Sequence, residues 1–151
     1  MTMTAGEVVD AFLKAVLSGD VDGAKQYLAE DVVFDNVPQG EASRIVIGRD
    51  AVADRLRPLF VIAQKVDWEI ILQVEQGNHV FNERLDRMWF APGTFPKGDY
   101  VHWPVIGRWD VEEGKIKLWR DYYELDQTSS QLGVDMAEFG RFVGKTYAAA
   151  D

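Results

Sequence analysis

Two aspartates, an arginine and an asparagine are the residues of this sequence from which a reaction could be built. Residues 82–90, NERLDRMWF, read as an extended segment. In such a segment alternate side chains take opposite faces. Asn82, Arg84, Asp86, Met88 and Phe90 then share one face, and Glu83, Leu85, Arg87 and Trp89 the other. An arginine and an aspartate thus point the same way as a methionine and a phenylalanine. Charges on an apolar face are expensive unless they are paired. The pattern recurs at Trp119, Asp121 and Tyr123, where an acid is flanked by aromatics, and Phe34 and Asn36 share a face as well. On the strand between, Trp103, Val105 and Gly107 lie together. If these faces converge, Phe34, Met88, Phe90, Trp103, Val105 and Trp119 wall an apolar cavity. Its polar groups are Asn36, Arg84, Asp86 and Asp121. A large apolar pocket with a few convergent polar groups is where a substrate site is first sought.

Such a set suits acid–base chemistry. A guanidinium held between two carboxylates can pair with both through its planar fork. Two acids in unlike surroundings can hold different protonation states, one serving as acid and one as base. Keeping one of them protonated at neutral pH takes about 4 kcal/mol. Burial among Met88, Phe90 and Trp103 pushes that way, and Arg84 pushes against it. The bland readings are an ion pair at Arg84–Asp86, an edge-of-sheet acid at Asp121, and plain core at the apolar positions. No Ser–His pair is placed for nucleophilic catalysis. The sequence has no cysteine and only two histidines, His79 and His102, which leaves few ligands for a metal site.

The elements that must position these residues are legible in outline. Val8, Val9, Phe12, Val16 and Leu17 recur near helical spacing, and Ser18-Gly19 stops that run. Asp20 can cap a short helix over 21–29. Residues 31–38 read as a strand ended by Pro38. Residues 48–64 read as a helix with Asp50 near its start, bent or broken at Pro58. Four strands follow at 65–76, 79–91, 100–112 and 115–125, with turns at Gly77-Asn78 and Glu113-Gly114. A helix over 134–148 closes the chain. Helices first and an antiparallel meander afterwards predict an α+β fold. A strongly curved sheet wrapped around the helices would hold a pocket on its concave face.

The 151 residues predict a single domain spanning 1–151. A net charge of −9 argues against a nucleic-acid or anionic-membrane partner. No stretch approaches the roughly 20 apolar residues of a membrane span, and the N-terminus lacks the basic and apolar regions of a signal peptide. A cytoplasmic protein is expected. The outer face of 82–90 carries Leu85 and Trp89, which predicts a covered back to the sheet and a homodimer.

The pieces FDNVP (34–38), GRDAV (48–52), ERLD (83–86) and GKIKLWRDYYEL (114–125) occur in the order and with the spacing of a known family. In them the chain resembles the limonene-1,2-epoxide hydrolases, within the nuclear-transport-factor-like, cystatin-like cone superfamily. The resemblance implies a strongly curved mixed β-sheet forming a cone around a deep pocket, with helices packed on its concave side. It implies an epoxide hydrolase that needs no cofactor and adds water to a small or medium apolar epoxide, giving a vicinal diol in one step. Residue by residue, Asp121 matches the base, Asn36 the water-holding asparagine, Arg84 the bridge and Asp86 the acid. The family's tyrosine falls on Phe34, which has no hydroxyl, so the water is held by Asn36 and Asp121 alone or by another hydroxyl. Two other readings stand beside this one. One is an isomerase or polyketide cyclase of the same superfamily, and the other is a non-catalytic binder of apolar small molecules.

Overall fold

The computed structural model describes residues 2–150. Helix α1 (Ala5–Leu17) starts from a capping box, in which Thr4 accepts from the Glu7 amide and Glu7 accepts from the Thr4 amide. The short α2 (Val21–Ala24) is capped by Asp20, as expected. The chain turns to strand sooner than the sequence predicts, so β1 runs Leu28–Asn36. A three-residue strand beyond those the sequence predicts, β2 (Ile45–Ile47), precedes α3 (Arg49–Ile62).

Pro58 neither breaks nor ends α3. Its ring removes the ladder bond to the carbonyl of Asp54, an exposed position where solvent can take that place. Strands β3 (Lys65–Gln76), β4 (His79–Trp89), β5 (Tyr100–Glu112) and β6 (Lys115–Tyr122) form the meander. The turn between β5 and β6 has positive φ at both Glu113 and Gly114, the left-handed pair that suits a two-residue hairpin. Helix α4 (Gln127–Leu132) was also unforeseen, because QTSSQL has no apolar period. Helix α5 (Met136–Ala150) follows it.

The six strands form one open, strongly curved sheet in the order β2-β1-β6-β5-β4-β3. All neighbours are antiparallel except β1 and β6, so the sheet is mixed. Register shifts at Ile70/Leu72 and at Asp110/Val111 bend it, as bulges do.

Helices fill the concave side in two groups. The first core joins α1 through Val8, Val9, Phe12 and Val16 to Trp109 and Trp119, which stack 4.8 Å apart with Phe12 edge-on to both. The second joins Met88, Phe90, Val101 and Trp103 to Phe95, Leu132, Phe139 and Val143. On the convex side, Asp35 of β1 is buried between two arginines. Arg44 grips it at 2.7 and 2.9 Å, and Arg120 of β6 adds a bond at 2.8 Å.

Candidate active site

The alternation read from the sequence holds along β4. Asn82, Arg84, Asp86 and Met88 are buried on the concave face, while Glu83, Leu85, Arg87 and Trp89 point outward. Strand pairing then lays a row of side chains across the sheet. Asn82 on β4 lies opposite Gly107 on β5, Gly107 opposite Asp121 on β6, and Asp121 opposite Asn36 on β1.

Arg84 joins the row diagonally. Its Nε and Nη2 donate to Oδ1 and Oδ2 of Asp86, each at 3.0 Å. Its Nη1 and Nη2 donate to Oδ1 and Oδ2 of Asp121 at 3.2 and 3.0 Å. The guanidinium therefore reaches from β4 across β5 to β6, about 10 Å at the usual strand spacing. Gly107 makes that reach possible. A Cβ there would lie 2.5 Å from Arg84 Nη1 and 2.7 Å from Asn82 Oδ1.

The two acids differ in what surrounds them. Asp121 accepts a third bond, from the Trp119 indole N–H at 2.9 Å. Among the described residues, Asp86 accepts only from Arg84, and burial pushes its carboxyl above the ordinary aspartate value against the pull of that arginine. Burial alone would weaken the proton on Arg84, but the charges of Asp121 and Asp86 outweigh it and raise its pKa further. Behind the arginine, Asn82 accepts from Arg84 Nη1 and from the Trp109 indole, both at 3.3 Å. It donates to Gln73, which in turn bonds Asp10 of α1.

These groups sit at the wall of a cavity of about 650 Å³ between the sheet, α3 and α5. Of the expected residues, Phe34, Asn36, Asp86, Met88, Trp103, Val105, Trp119 and Asp121 line it. Arg84 is only 1% exposed and lies behind the two acids. Phe90 departs from the expectation. It sits just past the end of β4 and packs edge-on against Phe95 and Phe139, so it belongs to the second core and not to the cavity wall. Phe34 stacks on Trp119 with centroids 4.0 Å apart, which fixes both rings.

Three further residues complete the polar wall. The Tyr123 hydroxyl donates to Asn36 Oδ1 at 3.2 Å, Gln39 Nε2 donates to that hydroxyl at 2.9 Å, and Arg55 donates to Gln39 Oε1 at 2.8 Å. Tyr123 was placed on the right face by parity. Its partners come from the turn after β1 and from α3, whose approach no local pattern reveals. Among the described residues, no group of three His, Cys, Asp or Glu side chains is placed to hold a metal ion.

Comparison with known proteins agrees with the motifs. The family model described as the limonene-1,2-epoxide hydrolase catalytic domain matches residues 3–132. The chain is 33% identical over 119 residues to epoxide hydrolase EphG of Mycobacterium tuberculosis, covering 78% of this chain and 71% of that one. Among solved structures, an LEH-like epoxide hydrolase of M. tuberculosis superposes with a TM-score of 0.70 at 27% identity, covering 89% of this chain and 93% of that one. A protein of ketosteroid isomerase-like fold from Catenulispora acidiphila reaches a TM-score of 0.72 at 19% identity, over 87% and 95% of the two chains, and shares the fold alone.

Proposed function

The chain belongs to the limonene-1,2-epoxide hydrolase family, and we propose that it is an epoxide hydrolase that opens a small or medium apolar epoxide with water in a single step. The observation that carries this reading is one buried guanidinium gripping two carboxylates that face the same apolar cavity. With both acids ionised the three groups would leave a surplus negative charge out of water. One proton removes it. Asp86, the carboxyl pushed up by burial, keeps that proton.

The roles follow. Asp121 takes a proton from water as the water oxygen attacks an epoxide carbon. The carbon–oxygen bond breaks, and its electron pair takes the proton of Asp86. Asp121 ends protonated and Asp86 ionised, and the proton returns to Asp86 before the next turnover. Both Oδ2 atoms lie 3.0 Å from the same Nη2, so they are at most twice that apart. That span suits water entering on one side of the ring and oxygen leaving on the other. Arg84 keeps the acids in register throughout, and Asn36 holds the water beside Asp121.

The reading also includes a homodimer. Ile71, Leu72, Val74, Phe81 and Ile106 are exposed on β3, β4 and β5, an apolar patch that a second copy would cover.

The test is turnover. Styrene oxide and limonene oxide are offered, and the products are separated by chromatography. Diol is the expected product. A single turnover in heavy-oxygen water should place the label in the diol. Label in Asp121 or Asp86 would show an ester intermediate and sink the one-step route. Binding without any product would leave an apolar-ligand binder, and a rearranged carbonyl product an isomerase.

A further inference from the structure

We propose that Arg55, Gln39 and Tyr123 form a one-way hydrogen-bond relay that turns the amide nitrogen of Asn36 toward the cavity and so presents the attacking water to Asp121. This rests on the epoxide hydrolase reading and adds three positioning residues to it.

The direction is fixed by the first member. A guanidinium has donors and no acceptor. Gln39 must therefore turn its oxygen to Arg55, which leaves its amide nitrogen for the Tyr123 hydroxyl. The hydroxyl oxygen accepts there, so its one proton goes to Asn36 Oδ1. Burial pushes the Tyr123 phenol up to about 12, so that proton stays in place across the working range. With Oδ1 taken, Asn36 can offer the cavity only its Nδ2 donors. It lines the cavity and lies opposite Asp121 on the neighbouring strand.

A water placed there accepts from Asn36 and donates to Asp121. One lone pair remains free, and it is the one that attacks. If the amide were reversed, Oδ1 and the Asp121 carboxylate would both demand protons from the water. The water would still bind, but as a donor to two acceptors, with its oxygen turned differently toward the ring. Residue 34, a phenylalanine stacked on Trp119, offers no hydroxyl to correct this.

Two variants separate this relay from ordinary packing. Gln39→Glu keeps the shape and strengthens the pairing with Arg55, yet its carboxylate can only accept. The Tyr123 proton is then drawn to residue 39 and the Asn36 amide reverses. Tyr123→Phe removes the link while keeping the ring. Expected for both is a fall in kcat of about three- to tenfold, the loss of one net hydrogen bond, with KM nearly unchanged. Gln39→Glu should show that fall with Tm equal to or above the wild type, a combination that loss of packing cannot give. Wild-type kcat in Gln39→Glu would overturn the relay and leave the epoxide hydrolase reading intact. The Asn36 side-chain amide is followed in parallel by nitrogen-15 NMR, assigned by its disappearance in Asn36→Asp. Its proton shifts should move in both variants, and unchanged shifts would also overturn the relay. If the wild type makes no diol at all, the functional reading fails and this NMR result alone decides the relay.

Discussion

Two charge triads lie back to back across the sheet and meet on β6, which gives Arg120 to one and Asp121 to the other. On β1 and β6, Asp35 lies opposite Arg120, and the next pair along is Asn36 opposite Asp121. The convex side holds Arg44–Asp35–Arg120 and the concave side Asp86–Arg84–Asp121. Each has one central ion gripped by two of opposite sign. The central group is fully buried in both. They differ in where the surplus charge resides. Outside, the surplus is positive and sits on arginine side chains that keep about a third of their surface in solvent. Inside, it is negative and faces an apolar cavity. Solvent disperses the first, and the hydrogen bond from Arg44, reinforced by Arg120, holds the Asp35 carboxyl below the ordinary range despite burial. Solvent reaches the second far less, since the Asp86 and Asp121 side chains are only 13% and 7% exposed, and burial pushes Asp86 above that range. The same three-ion grammar yields a clasp on one face and, on the proposed reading, a proton donor on the other.

The contrast is broken most severely at Asp121. Asp121→Asn should lower diol formation by about 10²- to 10⁴-fold, the usual worth of a general base, with Tm near the wild type. Asp35→Asn should do the reverse, lowering Tm and leaving kcat per folded molecule unchanged. A rate loss in Asp35→Asn matching that of Asp121→Asn would mean that the two triads are not separate devices. The next effect is on stability. Arg84→Met strands two buried carboxylates and should cost about 3–5 kcal/mol in urea unfolding. Arg120→Met, at the exposed rim of the other triad, should cost no more than about 1 kcal/mol. Equal costs would remove the distinction in burial. Gly107→Ala thrusts a methyl group into the Arg84 guanidinium and should cost about 1–3 kcal/mol, as overpacking does. It should also cut turnover by displacing the bridge.

The smallest effect sharpens the comparison through pH. Asp35 has a lowered folded pKa. Its stabilisation is full above the unfolded value of about 3.9 and is lost as pH falls through the depressed folded value. The stability gap between wild type and Asp35→Asn should therefore shrink in acid. Asp86 has a raised folded pKa, so its unfolded form releases the proton first. The wild type should lose stability relative to Asp86→Asn as pH rises from about 4. Two gaps with slopes of opposite sign are expected from urea titrations, and slopes of the same sign would contradict the assignment. Diol formation should decline on the alkaline side as Asp86 ionises.

Much of the concave site was legible because a strand has a period of two. Arg84 and Asp86 declare themselves by sharing a face with Met88, and Asp121 by sitting between Trp119 and Tyr123. The motif resemblance then put Asn36 beside them. Phe90 keeps the parity, buried with Met88 in the second core, but it lies past the end of β4 against Phe95 and Phe139 and does not reach the cavity. Gln39 and Arg55 were illegible for another reason. They meet only because α3 packs over the turn after β1, and neither sits in a periodic pattern. The role of Gly107 was equally hidden. A glycine in a strand signals a close approach, but what approaches it is a side chain from the neighbouring strand.

The parallel seam between β1 and β6 has a consequence for how the protein comes into being. Strands β3, β4 and β5 each pair with the strand that follows next in the chain, but β1, beyond the short β2, ends at Asn36 and must wait for β6 to begin at Lys115. During synthesis at about 5–20 residues per second, β1 spends seconds with only the three-residue β2 to pair against. The meander of β3 to β6 has mostly local contacts and can form as a unit, whereas the seam closes a long loop at an entropic cost that nearby pairs do not face. Asn36 and Asp121 face each other across that seam. The proposed water site is thus assembled by the contact that the nascent chain makes late, and a chain that stalls before β6 has a pocket wall that lacks Asp121 and leaves Asn36 unpaired across the seam.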